Sequence, residues 1–108
     1  MAGMRKLLAA AAGCLIALGA PAAAQSDYPN RPIRMIIPFP AGGSNDIVGR
    51  ALAAQMSERL GKQIVVDNRS GAGGVVGSEA ASKATSDGYT ILVISIAHSV
   101  NPWLYKLP

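Results

Sequence analysis

Between residues 32 and 85 the sequence runs twice through one three-part order: a short β-branched apolar run, a glycine-rich loop, and a segment with helical spacing. No other feature constrains the fold as tightly. Strands that alternate with helices close into a parallel sheet with helices packed on its faces. The first run, Pro32-Ile33-Arg34-Met35-Ile36-Ile37-Pro38-Phe39, has the unbroken apolar character of a strand buried on both sides. Pro40-Ala41-Gly42-Gly43-Ser44-Asn45-Asp46 then reads as a tight loop. Over residues 47–60, Val48, Leu52, Met56 and Leu60 recur every four residues beside Ala51. That spacing predicts an apolar stripe against the sheet, with Arg50, Ser57 and Glu58 off it. Ser44 or Asn45 is placed to cap the helix, Asp46 to complement its dipole, and Gly61 to end it.

The second unit has Gln63-Ile64-Val65-Val66-Asp67 as its strand and Asn68-Arg69-Ser70-Gly71-Ala72-Gly73-Gly74 as its loop. Its helix is expected over residues 75–85, with Val76, Ala80 and Ala84 on one face and a Glu79–Lys83 pair at i,i+4. After an Asp87-Gly88 turn, residues 89–95 form the third and most apolar strand. Right-handed crossovers on opposite faces predict the strand order 2-1-3, with the loops at 40–46, 71–74 and 95–99 along one edge. No returning helix is read behind the third strand, so the chain is expected to be part of a lobe. Trp103 and Tyr105 are expected in the core.

The formal charge of +4 suggests nucleic acid only until its distribution is examined. Arg5 and Lys6 precede a continuously apolar or small run over residues 7–20, and Pro21 and Ala22-Ala23-Ala24 follow. These are the three regions of an export signal, with cleavage expected after Ala24. The apolar run is shorter than the roughly 20 residues that span a bilayer. The apolar sequence continuing past Cys14 argues against a lipoprotein box. From Gln25 onward, eight cationic side chains face six acidic ones, a net of +2 with the signs interspersed, and no phosphate-binding stripe exists. Removing the signal removes the single cysteine, and one histidine (His98) remains. Thiol catalysis, thiolate metal sites and multi-histidine metal sites are thereby excluded from the exported product.

Both glycine loops hand a strand over to a helix at the carboxyl edge of the sheet, where open α/β sheets bind ligands. Backbone N–H groups of Gly42, Gly43 and Ser44, and of Gly71, Ala72, Gly73 and Gly74, are candidate anion donors at helix N-termini. A dinucleotide fingerprint fails because Val76 stands where its third glycine belongs, and no Gly-Lys-Ser or Gly-Lys-Thr occurs. No Gly-x-Ser-x-Gly elbow supports an exported hydrolase. Ser95 ends the third strand and His98 follows it, so both could line the same edge. For His98 a ligand hydrogen bond and a loop-capping role both stay open.

Five blocks then stand in order: Tyr28-Pro29-x-Arg31-Pro32-Ile33; Pro38-Phe39-Pro40-Ala41-Gly42-Gly43-x-x-Asp46; Val66-Asp67-Asn68-Arg69-x-Gly71-Ala72-Gly73-Gly74; Asp87-Gly88-Tyr89-Thr90; and Asn101-Pro102-x-Leu104-Tyr105. Together they resemble the Bug-type solute-binding receptors of tripartite tricarboxylate transporters. The resemblance implies one partial lobe of a type II periplasmic-binding-protein fold: an export signal over residues 1–24, then the N-terminal part of the first lobe over residues 25–108, with the second lobe absent. It implies a periplasmic receptor without catalysis, cofactor or metal. Such a receptor captures small organic mono-, di- or tricarboxylates for membrane permease subunits and does not bind nucleic acid. Carried onto matching positions, the ligand shell is Pro40, Ala41, Gly42, Gly43, Ser44 and Asp46, then Gly71, Ala72, Gly73 and Gly74, then Ser95 and His98. Asp46 would repel a dianion, so capping or a bond to a ligand hydroxyl or amine suits it better. The same fold could instead serve as an exported partner of a sensor kinase.

Overall fold

The computed structural model describes residues 27–106, and the expected export signal lies outside them. Three strands, β1 (Ile33–Ile37), β2 (Ile64–Asn68) and β3 (Thr90–Leu92), form one sheet in the order β2-β1-β3. Both pairings are parallel, with Ile33 opposite Ile64 and Arg34 opposite Thr90. The predicted order and direction both hold. Ile33, Met35, Ile36 and Ile37 of the central strand are fully buried, which is why its sequence lacks the alternation of a half-exposed strand.

Three helices follow the strands: α1 (Ser44–Leu60), α2 (Val75–Ser82) and α3 (Ile96–Leu104). Neighbouring residues of an extended chain point to opposite faces, and the helices use that alternation. Gly49 of α1 sits on Ile37, and Gly77 of α2 sits on Pro38. A Cβ at Gly49 would stand 2.5 Å from Ile37 Cδ1. One at Gly77 would stand 2.5 Å from Pro38 Cβ and 2.8 Å from the Arg69 carbonyl. α1 therefore lies over β1 and β2, and α2 over β1 and β3 on the other face.

Close packing through glycine overturns the expected α1 stripe. The buried residues are Asp46, Gly49 and Ala53, with Met56 and Ser57 half-buried behind them. Val48 and Leu52 are 66% and 50% exposed. Residues spaced by four drift about 40° per step around a helix of 3.6 residues per turn, so Val48 to Leu60 never was one face. Ser57, expected off the packed side, is on it: its Oγ donates to the Ala53 carbonyl at 2.7 Å and accepts the Ile64 N–H at 2.9 Å. In α2 the buried position is likewise Gly77, whereas Val76 is exposed. This helix ends at Ser82, three residues early, and the expected Glu79–Lys83 pair forms.

Strand three is shorter than expected. It stops at Leu92, and Ser95 caps a helix that was not predicted, its Oγ accepting the Ala97 N–H at 3.3 Å. Trp103 on that helix is 89% exposed and so lies outside the core. At the amino edge, Tyr28 Oη donates to the Gly88 carbonyl at 2.6 Å. Arg31 pairs with Asp87 at 2.7 Å, and its guanidinium lies 4.1 Å from the Tyr89 ring centre. Tyr89 Oη donates to Asn30 Oδ1 at 2.9 Å. The first and fourth motif blocks thus fasten to each other at the edge away from the glycine loops.

Candidate functional site

All three helices begin at the carboxyl edge of the sheet, so three N-termini share it where the sequence suggested two. The first four N–H groups of a helix lack partners inside it and carry partial positive charge. In α1 the N-cap is Gly43, not Ser44 or Asn45, and no side chain caps it. Ile47 N–H reaches the Gly43 carbonyl at 3.0 Å. The amides of Ser44, Asn45 and Asp46 have no hydrogen-bond partner among the described residues.

The donors expected one step earlier in the loop are occupied. Gly42 N–H bonds to Asp46 Oδ2 at 2.8 Å, and Gly43 N–H turns back to the Pro40 carbonyl at 3.3 Å. In the second loop a 3-10 turn, Ala72–Gly74, precedes α2. Gly74 N–H bonds to the Gly71 carbonyl at 3.0 Å, and Val75 N–H to that of Ala72. Ala72 and Gly73 keep amides without partners among the described residues. Both have positive φ, 46° and 63°.

Gly73, Gly74, Ser95, His98 and Asn101 line one small crevice with Pro38 and Phe39. The second loop and the segment after β3 therefore meet over the end of the central strand. Residues 40–44 do not line this crevice and connect to it through Asp46. His98 is exposed, with Nδ1 3.4 Å from Ser78 Oγ. A wider apolar groove between α2 and α3 also contains His98, but it touches neither the first loop nor Gly73.

Asp46 is 3% exposed, and its carboxylate is saturated. Oδ1 accepts from Arg50 Nε at 3.0 Å and from Asn68 Nδ2 at 2.9 Å, and Oδ2 accepts from Gly42 N–H and from Arg50 Nε at 2.9 Å. Four contacts exhaust the roughly four lone-pair sites of a carboxylate. These donors, Arg50 above all, hold its pKa down at about 2. Asp46 can therefore meet a ligand only through its main-chain N–H. Asp67 is likewise held below the usual carboxylate range, mainly by Arg34 and further by Arg69. With Arg50, Arg34 and Arg69 so engaged, positive potential at the edge comes from helix termini rather than free cations. Asn45, Asn68 and Asn101 were missed by reasoning from the sequence. Asn68 and Asn101 stood inside the quoted motif blocks but carried no signal of periodicity or charge.

The profile of the tripartite tricarboxylate transporter family receptor matches residues 48–108. Protein BugT of Bordetella pertussis is 47% identical over 106 residues, 97% of this chain and 32% of its own length. Two solved structures from Rhodopseudomonas palustris superpose on 60% of this chain and 22% of their own. They are Rpa4515 with adipate, 38% identical with a TM-score of 0.59, and MatC with bound malate, 35% identical with a TM-score of 0.58. The chain spans about a third of the length of the curated relatives it matches. A third solved structure, periplasmic binding protein BugD, is 49% identical with a TM-score of 0.59 over 60% of this chain and 22% of its own. The three-stranded parallel sheet is thus a part of a larger periplasmic-binding-protein fold, and the chain belongs to the tripartite tricarboxylate transporter receptor family.

Proposed function

We propose that this chain supplies part of a carboxylate-binding site of a periplasmic solute receptor, and that the site is the rim built from three helix N-termini. One observation carries the reading: among the described residues, main-chain N–H groups of Ser44, Asn45, Asp46, Ala72 and Gly73 stay without partners on a sheet edge whose nearby arginines are engaged. Helix-terminal amides take carboxylates without a cationic side chain. The relatives with bound adipate and malate support a dicarboxylate as the ligand class. Ser95 and His98 close the rim on the third side, with His98 offering a ring nitrogen to the ligand. Residues 1–24 direct export, and membrane permease subunits take the ligand onward.

In the 108-residue chain the first loop is exposed, so each charge-assisted bond replaces one to water and nets about 1 kcal/mol. Two or three such bonds fall short of the roughly 4 kcal/mol of millimolar affinity and give a Kd in the ~10 mM range. Titration of the 15N-labelled chain with malate and with adipate is the test. The amides of Ser44, Asn45, Ala72 and Gly73 are expected to shift together and to approach saturation only at tens of millimolar ligand. Shifts confined to the groove between α2 and α3, or none at the rim, would refute the assignment.

A further inference from the structure

The buried polar side chains of the described region are Asp46 and Asn101, the latter 6% exposed. Each is bonded to the main chain of a glycine loop. Asp46 accepts from Gly42 in the first loop, and Asn101 Nδ2 donates to the Gly73 carbonyl in the second at 3.0 Å. Asn68, the last residue of β2, belongs to the first system and leads by its main chain into the second loop. Its Nδ2 donates to the Phe39 carbonyl at 3.1 Å and to Asp46 Oδ1, while its Oδ1 accepts from Arg50 Nη2 at 3.1 Å. Phe39 follows β1, Asn68 leads into the second loop, and Asn101 lies on the helix that follows β3. Two hydrogen-bonded clusters, Gly42–Asp46–Asn68–Phe39 and Gly73–Asn101, therefore span the exits of all three strands, joined by the short main chain from Asn68 to Gly73.

The strand order makes these clusters necessary. β2 and β3 are separated by β1, so no ladder hydrogen bond can fix the second loop against the segment after β3. The second loop must cross the end of β1, where Gly74 approaches the Phe39 ring closely enough that a Cβ would stand 3.5 Å from Cζ. Sheet pairing sets the strands; side chains must set the loops.

We propose that Asp46, Asn68 and Asn101 are positioning residues that staple the three loops into one rigid rim, so that a perturbation at any staple moves both amide sets together. This deepens the carboxylate reading and rests on it: the ligand meets amides already fixed, and less ordering entropy is lost on binding. Asp46 acts through Gly42 and Asn68, and its carboxylate does not touch the ligand.

The test uses the 15N-labelled full chain and two isosteric variants, Asp46→Asn and Asn101→Asp. Without ligand, Asp46→Asn is expected to speed hydrogen exchange of the Gly42 amide about tenfold, the loss of one charge-assisted bond. It should also shift the amides of Ala72 and Gly73, while those of Met35 and Ile36 hold their protection. Asn101→Asp exchanges the donor to the Gly73 carbonyl for a charged acceptor, breaking that bond, and should shift Gly42 as well as the second loop. If Asp46→Asn loses protection throughout the sheet, Asn101→Asp decides alone. Movement confined to the loop nearest each substitution overturns the staple. Malate is then added: each variant should show weaker rim shifts than the parent chain at equal concentration. A parent chain that ignores malate but keeps its loops coupled would dismiss the carboxylate reading and leave the staple standing.

Discussion

At the scale of single residues, the most consequential group is Asp46. Its pKa falls from 3.8 to about 2 because Arg50, Gly42 and Asn68 all bond to the ionised form. A depressed carboxylate stabilises the fold above its unfolded pKa, and that contribution disappears as pH falls through the folded value. Asp67, lowered by Arg34 and Arg69, acts in the same direction. Urea midpoints measured from pH 6 downward are therefore expected to hold to about pH 4 and then to drop steeply toward pH 2. Asp46→Asn should lower the midpoint at pH 6 and flatten the acid limb; an unchanged acid limb would remove Asp46 from this role. The sequence displayed the glycines of the site, but in the first loop it counted Gly42 and Gly43 as donors where Asn45 and Asp46 stand free, because which amides stay free depends on the exact N-cap. Gly43 takes that position, so Asn45 gains a free amide, while the Asp46 carboxylate occupies that of Gly42. A saturated carboxylate is equally invisible in sequence, since Arg50 and Asn68 reach Asp46 only after folding.

Among the elements, strands were legible and helix faces were not. Ile33-Arg34-Met35-Ile36-Ile37 reads as a buried strand because its burial depends on composition alone. Which side of α1 meets the sheet depends instead on how near the helix comes, and small residues let it come nearest: Gly49 and Ala53 replace the larger Val48 and Leu52 at the contact. α3 was not anticipated; it carries Pro102, which disfavours the helical region for the residue before it, yet the helix accommodates both. The two glycine contacts predict different tolerances. At Gly49 the obstacle is the flexible tip of Ile37; at Gly77 it is backbone of Pro38 and Arg69. Gly77→Ala should cost about 2–3 kcal/mol of unfolding free energy, and Gly49→Ala about 1 kcal/mol or less, as overpacking does when the neighbour respectively cannot or can yield. Equilibrium denaturation of both variants checks the ranking, and an equal cost would show that α2 shifts as freely as a side chain.

For the molecule as a whole, α3 presents Ile96, Val100, Trp103 and Leu104 at helical spacing, with Ile96 84% and Trp103 89% exposed. A contiguous apolar face of this kind drives association. The 108-residue chain is expected to self-associate at micromolar concentration, and Trp103→Lys to weaken that association at least about tenfold, ~1.4 kcal/mol. Sedimentation velocity across a concentration series is the check; a parent chain that stays monomeric would place the burden of solubility elsewhere. The clasp of Tyr28, Arg31, Asp87 and Tyr89 has a practical corollary. It secures the start of the described chain at one end of β1, five residues from the loops at the other, or about 16 Å at ~3.3 Å per residue. A fluorophore or sensor-chip linker joined at Asp27 would thus enter behind the rim, and immobilised protein would face solution with its ligand edge unobstructed.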